Sequence, residues 1–152
     1  MTLLDQALVP LKKYADFSGR ASRGEFWTFF FFVMLLQAFA RVIDAMFGRG
    51  GFMPGPIAGL AGLLLIVPQM AVAVRRLHDV NRSGRELIVP MVMLFAAPLV
   101  VMFGSFLGRI VALGYTGLLM LMFAQLVLML IRKGSSIPNR YGAAPTAFTF
   151  GV

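Results

Sequence analysis

The stretch Arg75-Arg76-Leu77-His78-Asp79-Val80-Asn81-Arg82-Ser83-Gly84-Arg85-Glu86 holds four of the fourteen basic residues of the chain and its only histidine. It is a polar island between long apolar runs, two before it and two after. A helix needs about 20 apolar residues to cross the hydrocarbon of a bilayer. The expected fold is therefore an all-α integral membrane protein, a bundle of four transmembrane helices built as two consecutive hairpins, with residues 75–86 as the central connector.

Composition points the same way. The chain has 152 residues, 59% of them hydrophobic and 13% charged, with a mean hydropathy of +0.85, well outside the makeup of a soluble domain. A net charge of +8 and a pI near 11.2 would suggest nucleic-acid binding in a soluble protein. Here the basic residues flank the apolar runs, so membrane orientation explains them and no nucleic-acid partner is expected. The absence of cysteine excludes disulfides, thiolate metal sites and cysteine nucleophiles. One membrane domain over residues 1–152 is expected.

Residues 1–22 read as a cytoplasmic or interfacial segment, because basic and apolar residues are in the wrong order for a cleavable signal. Leu4, Leu8, Leu11 and Ala15 recur at helical spacing while Lys12 and Lys13 lie off that face. This pattern suits a short amphipathic helix in the interface, or a loose tail if Pro10 breaks it. Ser22 and Glu25 then form a capping-box pattern ahead of the first span, about 23–47, with Trp27 as an interfacial anchor. Arg41 and Asp44, at i and i+3, read as far-side interface anchors able to pair with each other.

Residues 48–56 are turn chemistry, with only a near miss to a dinucleotide fingerprint. The second span, about 57–74, carries Ala58, Gly59, Ala61 and Gly62 for close helix approach and should stop at Arg75-Arg76. Ser83 and Glu86 repeat the capping-box spacing before the third span, about 84–103, in which Pro98 should kink the helix. A turn over 104–109 leads to the fourth span, about 110–131, and a tail over 132–152.

Orientation follows from counting. With both termini and the central connector on one side, that side holds Lys12, Lys13, Arg20, Arg23, Arg75, Arg76, Arg82, Arg85, Arg132, Lys133 and Arg140, leaving Arg41, Arg49 and Arg109 opposite. Lys and Arg are retained in the cytoplasm, so both termini should be cytoplasmic. The halves also share a plan, from Ser-x-x-Glu through a dibasic stop to Asn81-Arg82-Ser83-Gly84 or Asn139-Arg140-Tyr141-Gly142. Parallel duplication and chance alternation of basic and apolar stretches both account for it.

Three segments, Phe17-Ser18-Gly19-Arg20-Ala21-Ser22-Arg23-Gly24-Glu25-Phe26-Trp27, then Arg75-Arg76-Leu77-His78-Asp79 through Arg82-Ser83-Gly84, and Asn139-Arg140-Tyr141-Gly142, together closely resemble the bacterial inner-membrane family known as domain of unknown function 805. The resemblance spans nearly the whole chain. It implies a small polytopic inner-membrane protein and brings no activity, ligand or catalytic residue. Arg85-Glu86 departs from the aromatic or apolar residue expected there and makes the start of the third span more polar.

Candidate chemistry is sparse. His78 and Asp79 are adjacent, and neighbours in a loop usually point apart, so they do not form a base with its orienting carboxylate. No HExxH, second histidine or Gly-x-Ser-x-Gly elbow accompanies them, so no catalytic residue, metal or cofactor is expected. Arg20, Arg23, Arg75, Arg76, Arg82 and Arg85 are the candidates for binding an anionic lipid headgroup or a partner. Against this stands a role in topology and in pairing with Glu25, Asp79 and Glu86. His78, Asp79, Asn81, Asn139 and Arg140 are candidates for structuring the connector. Gln37, Gln69 and Gln125 are candidates for an interhelical hydrogen-bond set. The expected function is a non-enzymatic membrane component whose arginine-rich cytoplasmic face engages anionic lipid, a protein partner or a second copy. A small oligomeric transporter or pore, and a lipid-headgroup enzyme, are the alternatives.

Overall fold

A computed structural model describes residues 3–49, 51, 54–101 and 106–145. Five α-helices follow in order: α1 Leu3–Lys12, α2 Arg23–Met46, α3 Pro56–Asp79, α4 Ile88–Val101 and α5 Phe106–Ile131, with a 3-10 turn over Gly84–Leu87 ahead of α4. No strand occurs among the described residues, only an isolated bridge between Asn139 and Gly142. Helices α2, α3 and α5 are long and apolar enough to cross a membrane. Helix α4 has 14 described residues, about 21 Å at roughly 1.5 Å per residue, which is short of a full span. The expected end of that span, 102–103, and the glycine at 104 lie outside the described residues.

Helix α2 starts just after Ser22, whose backbone is extended and whose Oγ accepts the Glu25 N–H at 3.1 Å. The reciprocal half of the capping box does not form, because the Glu25 carboxylate turns to Arg75 instead. The far end of α2 closes on Gly48, at φ 68°. The Gly48 N–H donates to Ala45 and the Arg49 N–H to Asp44, the paired bonds of a Schellman motif. Helix α3 ends the same way on Asn81, at φ 58°, with the Asn81 N–H on His78 and the Arg82 N–H on Leu77.

Between these two stops, Asp44 joins the helices. It is 2% exposed, and its carboxylate accepts the Ile57 and Ala58 N–H groups at 3.1 and 2.9 Å. It thereby caps α3, whose own N-cap, Gly55, has no side chain to do so. This corrects the reading of Asp44 as an interface anchor paired with Arg41. The carboxylate satisfies more by meeting two orphan N–H groups of a helix N-terminus than by pairing with an exposed guanidinium. A Cβ at Gly55 would overlap the Asp44 side chain, so glycine is required there.

Two further boundaries differ from expectation. Helix α3 runs through Arg75 and Arg76 to Asp79, because both arginines find partners inside the protein and have no need to reach water. Helix α5 already begins at Phe106, so residues 106–109 are helical rather than a turn. A single glycine such as Gly108 costs a helix only about 1 kcal/mol and does not stop it.

Helix α1 continues through Pro10, which is fully buried, and packs on α2 and α3. Beyond it, the Asp16 carboxylate accepts from the Ser18 N–H and hydroxyl, and these bonds hold it below the usual carboxylate range. Tyr14 donates its hydroxyl to the Leu64 carbonyl. Pro68, four residues on, has no N–H to offer that carbonyl, so the tyrosine replaces the helical bond that the proline removes.

The three glutamines do not form one set. Gln37 packs its amide on the Ala58 carbonyl and Gly62 N–H of α3, at 3.2 and 2.9 Å in the orientation its partners require. Gln69 shares a groove with Gln37, whereas Gln125 faces the groove between α4 and α5. The apolar core, including Ala21, Phe26, Phe29, Leu77, Leu87, Leu126 and Leu130, sits toward the end of the molecule where the polar stretch lies.

Candidate functional site

The last turn of α3 places Arg75 and Arg76 on adjoining faces and Asp79 one turn beyond Arg76. Arg75 and Arg76 are 0% exposed and Asp79 is 4% exposed. Arg76 donates Nη1 to Asp79 Oδ2, Nε to the Leu130 carbonyl at 3.0 Å and Nη2 to the Arg132 carbonyl. Carbonyls at a helix C-terminus have no donor of their own. Arg76 therefore caps α5 from α3 and brings a cation to the negative end of that helix.

Asp79 is shared. Its Oδ1 accepts from Arg20 Nε and Nη2 at 3.0 and 2.8 Å. Arg20, 8% exposed, extends onward to the carbonyls of Ser135, Ile137 and Gly142. The Ser135 N–H returns to the Asp79 carbonyl at 3.0 Å. A Cβ on Gly134 would overlap the Asp79 carboxylate, so the tail can approach only because residue 134 is glycine.

Arg75 faces the other way. Its Nη1 donates to Glu25 Oε1 at 2.6 Å, and its carbonyl accepts the Ala21 N–H at 3.0 Å. Its Nε and Nη2 are buried with no acceptor among the described residues. Three guanidiniums against the carboxylates of Asp79 and Glu25 leave the knot with one excess positive charge. Arg20 and Arg76 have an acceptor for each guanidinium nitrogen, which offsets the cost of burying them, whereas among the described residues the Arg75 guanidinium is held by Glu25 alone.

Around the knot the tail folds on the end of α3. Asn139 donates Nδ2 to the His78 carbonyl at 2.9 Å and accepts the Tyr141 N–H at 2.9 Å. The His78 ring stacks on Tyr141 with centroids 3.8 Å apart and planes 3° from parallel. Its Nδ1 lies 3.1 Å from the Gly19 carbonyl, which can only accept, so Nδ1 carries the proton. Arg140 lies over the Tyr141 ring, with its Cζ 4.8 Å from the centroid, and donates to the Asn81 carbonyl at 3.3 Å. No hydrogen bond joins His78 to Asp79 among the described residues.

The six candidate arginines thus divide. Arg20, Arg75 and Arg76 are inside the protein, while Arg23, Arg82 and Arg85 are exposed. Arg82 makes a loose pair with Glu86 at 3.6 Å, and Ser83 Oγ accepts the Arg85 N–H at 3.3 Å, starting the 3-10 turn. The expected pairing of the arginines with Glu25 and Asp79 forms, through Arg75, Arg20 and Arg76, whereas sequence reasoning missed the need for glycine at 134 and the capping of α5 by Arg76. The Arg76 to Asp79 spacing was the available signal.

Long apolar helices clamped at one end by a buried ionic knot define an integral membrane protein. The family model described as "Protein of unknown function (DUF805)" matches residues 14–143, and the chain belongs to this family. The chain is 32% identical over 136 residues to Inner membrane protein YhaI of Escherichia coli (strain K12), covering 89% of this chain and 90% of that one. It is 37% identical over 84 residues to Inner membrane protein YhaH of the same strain, covering 53% of this chain and 68% of that one. No solved structure matches. The matched residues include every described partner of the knot.

Proposed function

We propose that the chain is a non-catalytic inner-membrane protein that crosses the bilayer four times, with both termini and the Asn81 connector in the cytoplasm. Its exposed arginines, Arg23, Arg82 and Arg85, hold anionic headgroups at that face. The observation that carries this reading is the division of the arginines, because the knot accounts for three of them and leaves three others exposed.

The crossing number is supported by where the knot draws its partners. The start of α2, the end of α3 and the end of α5 all meet there, and Gly84 packs against Val74 near the same end. Helix α5, at 26 residues, begins about 39 Å away at roughly 1.5 Å per residue. This separation supports a fourth crossing between Gly84 and Phe106. The excess of basic residues at the knot end supports a cytoplasmic location for it, and the names of the relatives support the inner membrane.

Reporters active only outside the cytoplasm should be silent when fused at Val152 and active after Gly50, and activity at Val152 would refute the orientation. For the headgroup role, the Arg23→Gln, Arg82→Gln, Arg85→Gln triple variant in nanodiscs of mixed charge should lose anionic-lipid enrichment. About 1 kcal/mol per arginine implies a loss on the order of a hundredfold. Unchanged enrichment would refute the lipid role.

A further inference from the structure

Arg85 and Glu86 stand at the mouth of a groove between α4 and α5 with a volume of about 340 Å³, within the range of roughly 300–1,000 Å³ common for ligand sites. Apolar side chains, Val89, Met122 and Met129 among them, form its walls, and the exposed Gln125 is the polar group that α5 contributes. The Arg85 guanidinium is exposed and meets no acceptor among the described residues. The Glu86 carboxylate lies 3.6 Å from Arg82, beyond hydrogen-bond reach, and its side chain is 30% exposed. Gln125 is seven residues before Arg132, roughly 10 Å along the α5 axis, and its amide has no partner among the described residues.

A cation and a carboxylate at one end, an amide farther along α5 and apolar walls thus line one groove. A guanidinium suits a phosphate, whereas the adjoining carboxylate repels a second anionic group and suits an ammonium. The amide can donate to an ester carbonyl. We propose that this groove seats one phospholipid with a primary-amine headgroup. The phosphate lies on Arg85, the ammonium on Glu86, the glycerol between Val89 and Met129 with an ester on Gln125, and one acyl chain runs on past Met122. The site differs from the diffuse anionic-lipid role above in being stoichiometric and in preferring a zwitterion. It rests on that proposal only in needing the start of α4 at headgroup depth.

The test is native mass spectrometry of the full chain released from nanodiscs of equimolar phosphatidylethanolamine, phosphatidylglycerol and phosphatidylcholine. One retained phosphatidylethanolamine is expected, favoured over each competitor on the order of tenfold, as one charge-assisted contact allows. Glu86→Gln should erase or reverse the preference over phosphatidylglycerol. Glu86→Asp should keep it, so the question stays decidable if the glutamine variant fails to fold. Arg85→Gln should lower occupancy by every phospholipid, and Gln125→Leu should weaken it a few-fold. Equal retention of the three lipids, an unchanged preference in Glu86→Gln, or a dimer with no lipid bound would overturn the proposal. Failure of the reporter fusions would instead strike at the topology alone.

Discussion

The two hairpins are built on different principles. In the α2–α3 pair, polar groups act at each level. Glu25 meets Arg75 at the knot end, Gln37 meets Ala58 and Gly62 farther along, and Asp44 caps α3 at the far turn. Tyr14 adds a bond at the carbonyl that Pro68 leaves free. In the α4–α5 pair, the described interhelical polar bond is the one from the Tyr115 hydroxyl to the Met93 carbonyl. Lipid gives helices no hydrophobic reason to associate, so packing and polar ties decide how firmly they hold. The first hairpin therefore serves as a scaffold, and the second is attached to it where Arg76 reaches the end of α5 and where Leu87, Leu126 and Leu130 join the shared apolar core.

Breaking the attachment should have the largest effect. Asp79→Ala leaves Arg20 and Arg76 buried without their shared carboxylate, a loss of about 3–5 kcal/mol. The thermal midpoint in detergent should fall sharply, and limited trypsin digestion should then cut at Arg140 in the detached tail. Breaking the scaffold at its far turn should cost less. Asp44→Ala strips the Ile57 and Ala58 N–H groups of their acceptor, at about 1–2 kcal/mol in thermal or denaturant unfolding. Asp44→Asn should recover only part of it, because the amide offers one acceptor oxygen where the carboxylate uses two.

A smaller effect sharpens the account of the proline. Tyr14→Phe should cost about 0.6 kcal/mol, a typical value for a hydrogen bond between membrane helices. Pro68→Ala restores an N–H to the Leu64 carbonyl, so the tyrosine substitution should cost less in that background. Strict additivity of the two changes would contradict the replacement of one bond by the other. Arg82→Gln should be least felt, within about 0.5 kcal/mol, because its pair with Glu86 is exposed and loose.

The helical class and the start of α2 were legible in the sequence, since Ser22 before an apolar run is a local signal. The end of α3 was not. A dibasic pair reads as a boundary because orientation rules count charges and ignore direction. Arg75 and Arg76 are about 100° apart around the helix, so one faces Glu25 and the other faces α5. The roles of Asp44 and Gly134 depend on residues distant in the chain and leave no periodic trace. Pro68 did announce a free carbonyl at Leu64, but nothing in the sequence pointed to Tyr14 as its donor.

The division between buried and exposed arginines is tested most directly by comparing the thermal midpoints of two charge-conserving variants of the purified protein, Arg76→Lys and Arg82→Lys. Lysine keeps the charge but lacks the planar fork that reaches Asp79, Leu130 and Arg132 at once. A marked drop confined to Arg76→Lys is the expected result. Equal midpoints for the two variants would contradict a structural role for the buried set.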